Sequence, residues 1–230
     1  MKTFVLVHGA WHGGWCWRRV APLLRAEGHE VFAPTLTGLG ERAHLARPET
    51  DLNTHITDVT ALMEMEDLRD VTLVGHSYGG FVITGVADRA ASRLASLVYL
   101  DAFVPENGKS LADYVPESGR AGFVASGETN GFPSFPLARF GVTDANDVAW
   151  AQRHIVNQPF RTFTQKLILA NPPPKLPRSF IACTEPSMGT FDPWYAALRN
   201  NPAWRFHEIK TGHDAMITEP RQLAGLLLTA

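Results

Sequence analysis

The segment Gly75-His76-Ser77-Tyr78-Gly79-Gly80 sets a serine between glycines at the end of the apolar run Val71-Thr72-Leu73-Val74, with a helix-like segment starting near Phe81. A strand entering Gly-x-Ser-x-Gly and leaving as a helix is the elbow pattern of a nucleophilic serine. The glycines let the chain turn sharply and let a neighbouring element pack close. The serine is left at the tip of the turn, where the helix N-terminus favours negative charge. A hydroxyl is a poor nucleophile alone, so the chemistry requires a base and a group that orients it.

Of nine histidines, His213 is best placed as the base, in Thr211-Gly212-His213-Asp214 just past the last predicted strand. Loops that follow the strands of a parallel sheet share one edge, which puts this loop on the side of Ser77. His8 and His12 flank Gly9 at a spacing of four, but no helix is expected there and no carboxylate follows, so no metal site is expected. His29, His44, His55, His154 and His207 read as solvated or locally bonded. A carboxylate must hold the second nitrogen of the base. Asp101 is preferred, because it abuts the strand Leu94–Leu100 and precedes the small Ala102; Glu185 and Asp192, after the strand Ser179–Cys183, are the alternatives. An oxyanion would take backbone N–H groups from Tyr78, after the serine, and from Ala10, in the turn His8-Gly9-Ala10-Trp11. Trp11, His76 and Asp214 flank these positions and are expected to contact substrate.

The elements that must position these groups alternate. Strands are predicted at Lys2–His8, Glu30–Ala33, Val71–Val74, Leu94–Leu100, Ser179–Cys183 and Arg205–Ile209. Helices are predicted at Trp15–Glu27, Asn53–Met65 with Asn53 as N-cap, Phe81–Ala90, Trp194–Asn200 and Pro220–Leu228. This alternation implies an α/β fold with a doubly wound, mostly parallel sheet. Between Val104 and Arg178 the chain is rich in proline, glycine and aromatic residues. Residues 104–178 are therefore read as an inserted cap on a core of 1–103 and 179–230, with short helices such as one near Asp147–Asn157. Its aromatic residues Phe123, Phe132, Phe135, Phe140, Trp150, Phe160 and Phe163 are expected to supply an apolar pocket wall.

Composition excludes other classes. The chain has 230 residues, 45% hydrophobic and 19% charged, with a net charge of -2 and no basic block suited to nucleic acid. No apolar stretch is long enough to span a bilayer, and the apolar start leads straight into a glycine turn rather than a cleavage site, so a cytoplasmic protein is expected. Cys16 and Cys183 are too far apart in sequence for a metal motif and read as buried thiols.

Together His8-Gly9-Ala10-Trp11-His12-Gly13-Gly14-Trp15-Cys16-Trp17, the Ser77 elbow and Gly212-His213-Asp214-Ala215-Met216 resemble the α/β-hydrolase superfamily. Within it they are similar to the branch of plant methyl-ester esterases, the salicylate-binding esterase and hydroxynitrile lyases, with bacterial relatives. The resemblance implies a Ser-His-acid triad, no cofactor, a small-molecule ester as substrate, and often a homodimer. The plant members carry their acid soon after a Cys-Thr strand end. Here Cys183-Thr184-Glu185-Pro186 has proline at that position, which supports Asp101 as the substitute. The lyases use a threonine in the oxyanion turn and, after the catalytic histidine, a lysine that stabilises departing cyanide. This chain has Ala10 and Asp214 there, and the Asp214 charge is expected to repel such an anion, which argues against lyase activity. The expected activity is hydrolysis of small to medium apolar or aromatic carboxylic esters through an acyl-enzyme. The alternatives are carbon–carbon cleavage of the lyase kind and ligand binding without turnover.

Overall fold

The computed structural model describes residues 1–230. Six strands form one sheet: β1 (Thr3–Val7), β2 (Glu30–Phe32), β3 (Val71–His76), β4 (Leu94–Leu100), β5 (Arg178–Cys183) and β6 (Arg205–Ile209). Their order is β2-β1-β3-β4-β5-β6, and every pairing is parallel. The direction of winding reverses at β1, so the C-terminal ends of β1 and β3 flank the crevice where such sheets place their chemistry. All six residues of β3 are buried. That burial explains its unbroken apolar run, since crossover helices cover both faces of a parallel sheet.

The helices are α1 (Ala21–Ala26), α2 (Leu52–Met65), α3 (Gly79–Ala90), α4 (Glu117–Gly127), α5 (Ala145–Gln152), α6 (Phe160–Thr164), α7 (Asp192–Leu198), α8 (Ala215–Thr218) and α9 (Pro220–Thr229). Two expectations need correction. The segment expected as one helix from Trp15 is a 3-10 stretch, Gly14–Arg19, followed by α1, with Pro22 in the first turn of α1. Proline lacks the N–H that a continuous helix would need there. The cap of α2 is Asp51, not Asn53. The Asp51 carboxylate accepts from the Thr54 N–H at 2.9 Å, and the Thr54 hydroxyl reaches back to the Asp51 backbone. This reciprocal pair satisfies two amides that the helix leaves free. Residues 104–178 hold α4, α5 and α6, of which only α5 falls in a predicted helical stretch. No helix is long and apolar enough to cross a membrane.

Close backbone approach fixes the turn after β3. A Cβ on Gly75 would lie 2.7 Å from the Gly79 oxygen, and one on Gly79 would lie 3.0 Å from the Val7 and His8 oxygens. A Cβ on Gly80 would overlap the Phe103 carbonyl oxygen. None of these neighbours is a flexible side chain that could move aside. Gly80→Ala is therefore expected to cost about 1–3 kcal/mol by overpacking and to displace the elbow. Gly119, exposed in α4 with open space around it, is the contrast. Gly119→Ala should raise stability by about 0.5–1 kcal/mol through helix propensity. Urea unfolding of both variants checks the pair, and equal effects would contradict the packing argument.

Candidate active site

Ser77 has φ +56°, in the left-handed region. Its N–H donates to the Leu100 oxygen at 3.2 Å, and its carbonyl accepts from the Gly80 and Phe103 N–H groups at 3.0 and 3.2 Å. These bonds hold a conformation that costs a non-glycine residue energy when unsupported. The β4 pairing sets His76 opposite Leu100, so Ser77 and Asp101 leave adjacent strands side by side. Asp101 also has positive φ, +43°, and its N–H donates to the Ile181 oxygen at 2.8 Å.

His213 reaches Asp101 from the loop after β6, and it shares a cavity with Ser77. Its Nδ1 lies 2.5 Å from Asp101 Oδ2. A carboxylate accepts, so Nδ1 carries a hydrogen, and in the neutral ring that tautomer puts the lone pair on Nε2. The other oxygen, Asp101 Oδ1, accepts from the Cys183 N–H at 3.2 Å and from the Tyr195 hydroxyl. Burial and the nearby Asp101 charge push the Tyr195 hydroxyl well above its ordinary value, so it remains a donor. The His213 ring stacks on Phe191 with centroids 5.1 Å apart. The two alternative acids point elsewhere. Glu185 is exposed and pairs with Lys210 at 3.1 Å, and Asp192 is exposed and accepts from the Ser187 hydroxyl at 2.7 Å.

The turn after β1 is organised by buried histidines. His8 Nδ1 donates to the Gly9 oxygen at 2.8 Å, and its Nε2 accepts from the Leu36 N–H at 3.1 Å. Burial lowers His8 to about 3, which keeps the ring neutral in that tautomer. Holding the Gly9 oxygen on one side of a trans peptide turns the Ala10 N–H to the other side. The Ala10 oxygen accepts from His12 Nδ1 at 2.7 Å, and the Trp11 N–H donates to Gln158 Oε1 at 2.9 Å. The Ala10 and Tyr78 N–H groups engage no protein acceptor, and both residues line the cavity that holds Ser77 and His213. Tyr78 is anchored through its hydroxyl, which donates to His55 Nδ1 at 2.9 Å, while His55 Nε2 donates to the Thr37 oxygen at 2.8 Å.

This cavity measures about 210 Å³, and 13 of its 18 lining residues are hydrophobic, which suits an apolar ligand. Phe123, Phe135, Phe140 and Phe163 reach it from residues 104–178, whereas Phe132, Trp150 and Phe160 pack elsewhere. Gly141 and Gly212 join that segment to the His213 loop: a Cβ on either would lie 2.5 Å from the other's Cα. Trp11 lines the cavity, as expected of a substrate contact; His76 and Asp214 do not. The His76 ring lies beneath, 4.4 Å from His213, and its Nε2 donates to the His213 oxygen at 3.0 Å. Asp214 is fully buried and pairs with His12 at 3.1 Å. Its side chain is turned from the cavity toward His12, and its N–H donates to the Phe140 oxygen at 3.0 Å. Direct repulsion of a bound anion by Asp214 is thereby removed as an argument against lyase chemistry.

Donor atoms of His76, His213 and Asp214 lie within 4.8 Å of one another. His76 Nε2 and His213 Nδ1 already donate hydrogen bonds, so the cluster is built for hydrogen bonding rather than as a cation cage. Sequence reasoning missed three supports. His55, Gln158 and Tyr195 are all buried and hold site residues far from them in sequence. His55 left a readable signal, since it sits one turn before Val59 on the buried face of α2.

The buried histidines give the stability a pH dependence. Burial lowers His8 to about 3 and His55 to about 4, and it sets His76 well below its ordinary value. An unfolded chain protonates all three near pH 6.5. Each therefore contributes stability that is present above about 6.5 and is lost as the pH falls toward the folded value, by up to about 1.4 kcal/mol per pH unit per group. His12 has the opposite sign. Burial lowers it, but the Asp214 charge and hydrogen bond outweigh burial and raise it. Its contribution is complete below about 6.5 and is lost as the pH rises through its raised value. Urea unfolding at about pH 7 and about pH 5 should show a clear loss on the acid side. Unchanged stability across that range would contradict the neutral, buried assignment.

Comparison with known proteins agrees with this fold. A family model described as the alpha/beta hydrolase family matches residues 4–226. A carbendazim hydrolyzing esterase from Nocardioides sp. (strain SG-4G) is 42% identical over 237 residues, covering 97% of each chain. Methylesterase 2 of Arabidopsis thaliana is 30% identical, covering 99% of this chain and 95% of that one. A solved extracellular alpha/beta-hydrolase from a Paenibacillus species, described as sharing structural and functional homology with tobacco salicylic acid binding protein 2, superposes with a TM-score of 0.85. It is 28% identical and covers 100% of this chain and 99% of that one. On its sheet order, its elbow and these matches, the chain belongs to the α/β-hydrolase family.

Proposed function

We propose that this chain is a serine-type carboxylic-ester hydrolase for small, neutral, apolar or aromatic esters, with Ser77 as nucleophile, His213 as base and Asp101 as its orienting acid. One observation carries the reading. The Asp101–His213 pair, at 2.5 Å, opens with Ser77 and two unengaged backbone N–H groups onto a single apolar cavity. The relatives named above, an esterase and a methylesterase, support the same reaction.

In this account His213 Nε2 takes the Ser77 hydroxyl proton as Oγ attacks the acyl carbon. The Ala10 and Tyr78 N–H groups receive the developing oxyanion, where one such donor is typically worth about 10²–10³ in rate. His213 then protonates the leaving alcohol, and water releases the acyl group by the same base. Asp101 holds the tautomer and stabilises the imidazolium that forms. Residues 104–178 act as a cap whose phenylalanines shape the pocket. Arg139, exposed at the rim with its guanidinium 4.4 Å from the Phe135 ring, is the one formally charged side chain that lines it. A cytoplasmic setting belongs to the same reading and is supported by two free, buried thiols.

Hydrolysis of p-nitrophenyl acetate, butyrate and octanoate tests the proposal, with carbendazim assayed beside them. Ser77→Ala should remove nearly all turnover while the protein still folds. Asp101→Asn should lower kcat by roughly 10⁴, as tautomer loss does in a triad. Glu185→Gln should match the wild type. The small cavity should favour butyrate over octanoate. Ester turnover that survives Ser77→Ala, or that collapses in Glu185→Gln and not in Asp101→Asn, would overturn the assignment.

A further inference from the structure

We infer that the buried His12–Asp214 pair is a positioning clamp for the esterase site proposed above, and the inference rests on that reading. The sheet does not by itself set the distance between the two loops that must meet over Ser77. β1, which leads to the Ala10 turn, and β6, which leads to His213, lie four places apart in the strand order, or roughly 19 Å at ordinary strand spacing. The pair bridges that gap above the sheet.

His12 stands two residues after Ala10, and Asp214 directly follows His213. The His12 ring donates from Nδ1 to the Ala10 oxygen at 2.7 Å, and its Nε2 lies 3.1 Å from Asp214 Oδ2. Both side chains are buried, at 2% and 0% exposure, so water does not compete for these bonds. With His8 holding the Gly9 oxygen and His12 holding the Ala10 oxygen, the peptides on both sides of the Ala10 Cα are fixed. The Ala10 N–H is thereby set against the loop that carries the base. A second polar tie between the same regions, from Arg19 to the Ile217 oxygen at 2.8 Å, lies farther along both segments. Asp214 Oδ1 has no hydrogen-bond partner and stands 3.9 Å from His76 Nε2. A fold selected for stability alone gains little from an ion pair left partly unsatisfied in its interior.

The decisive variant is the double substitution His12→Leu with Asp214→Val. Replacing a buried ion pair by apolar residues is often neutral or stabilising, so this protein should melt at or near the wild-type temperature. Its kcat, per site titrated with diethyl p-nitrophenyl phosphate, should nevertheless fall roughly 10- to 100-fold with KM little changed, the scale expected for a small misplacement of a reacting group. Hydrogen exchange in residues 8–13 should quicken. Asp214→Asn is the conservative rescue. A neutral His12 can still donate from Nδ1 to Ala10 while Nε2 accepts from the asparagine amide, so most of kcat and the slow exchange should return. Wild-type kcat and exchange in the double variant would overturn the clamp, and so would an Asp214→Asn protein as slow as the double variant. Wild-type protein without Ser77-dependent ester turnover would instead overturn the esterase reading, and the exchange of residues 8–13 would then decide the clamp alone.

Discussion

The site depends first on backbone that comes closer to backbone than any side chain permits. At Gly75, Gly79 and Gly80 an added Cβ would meet main-chain atoms of the elbow itself, the end of β1 and Phe103. That contact forces the chain to reverse at Ser77 in a left-handed conformation and drives α3 directly beneath it. Register does the rest for the acid. Because His76 faces Leu100, the next residue on each strand, Ser77 and Asp101, emerges at the same height on neighbouring strands. Both take positive φ there, and both are held by backbone hydrogen bonds to the adjoining strand end.

His213 must cross from β6 over β5 to reach Asp101, and the end of β5 is built to receive that arrangement. The Cys183 N–H and the Tyr195 hydroxyl occupy one carboxylate oxygen of Asp101 and leave the other for the histidine. Around this axis the protein spends buried histidines on backbone geometry. His8 orients the Gly9–Ala10 peptide, His12 the next one, His55 fixes Tyr78, and His76 holds the His213 carbonyl. Each ring supplies a directed hydrogen bond inside an apolar interior, where such a bond is strong but an unmatched group is costly. The same choice makes the fold sensitive to acid, since three of these rings are kept neutral by burial.

Much of this was legible in the sequence because the signals are local. The elbow, the six strands and the position of His213 after the last strand follow from glycine spacing and apolar runs, and the strand ends agree with the structure to within a few residues. The choice among Asp101, Glu185 and Asp192 stayed open because it depends on side-chain direction at strand ends, which composition does not encode. Likewise the roles of His55, Gln158 and Tyr195 lie in contacts spanning 23, 147 and 94 positions. The placement of Asp51 as the cap of α2, rather than Asn53, turned on a reciprocal bond with Thr54 that only the local geometry reveals. The sequence neighbours of His76 and Asp214 suggest substrate contacts. Neither lines the cavity: His76 is turned to the His213 carbonyl, and Asp214 is turned to His12.

The central claim is that Ser77 is the one activated nucleophile of this chain. Incubation with diethyl p-nitrophenyl phosphate, followed by intact-protein and peptide mass spectrometry, tests it without assuming any natural substrate. The account predicts a single diethylphosphoryl adduct on the peptide containing Ser77, formed far more slowly when Asp101 is replaced by asparagine. An adduct on another residue, or labelling of Ser77 at an unchanged rate without the Asp101 carboxylate, would contradict it.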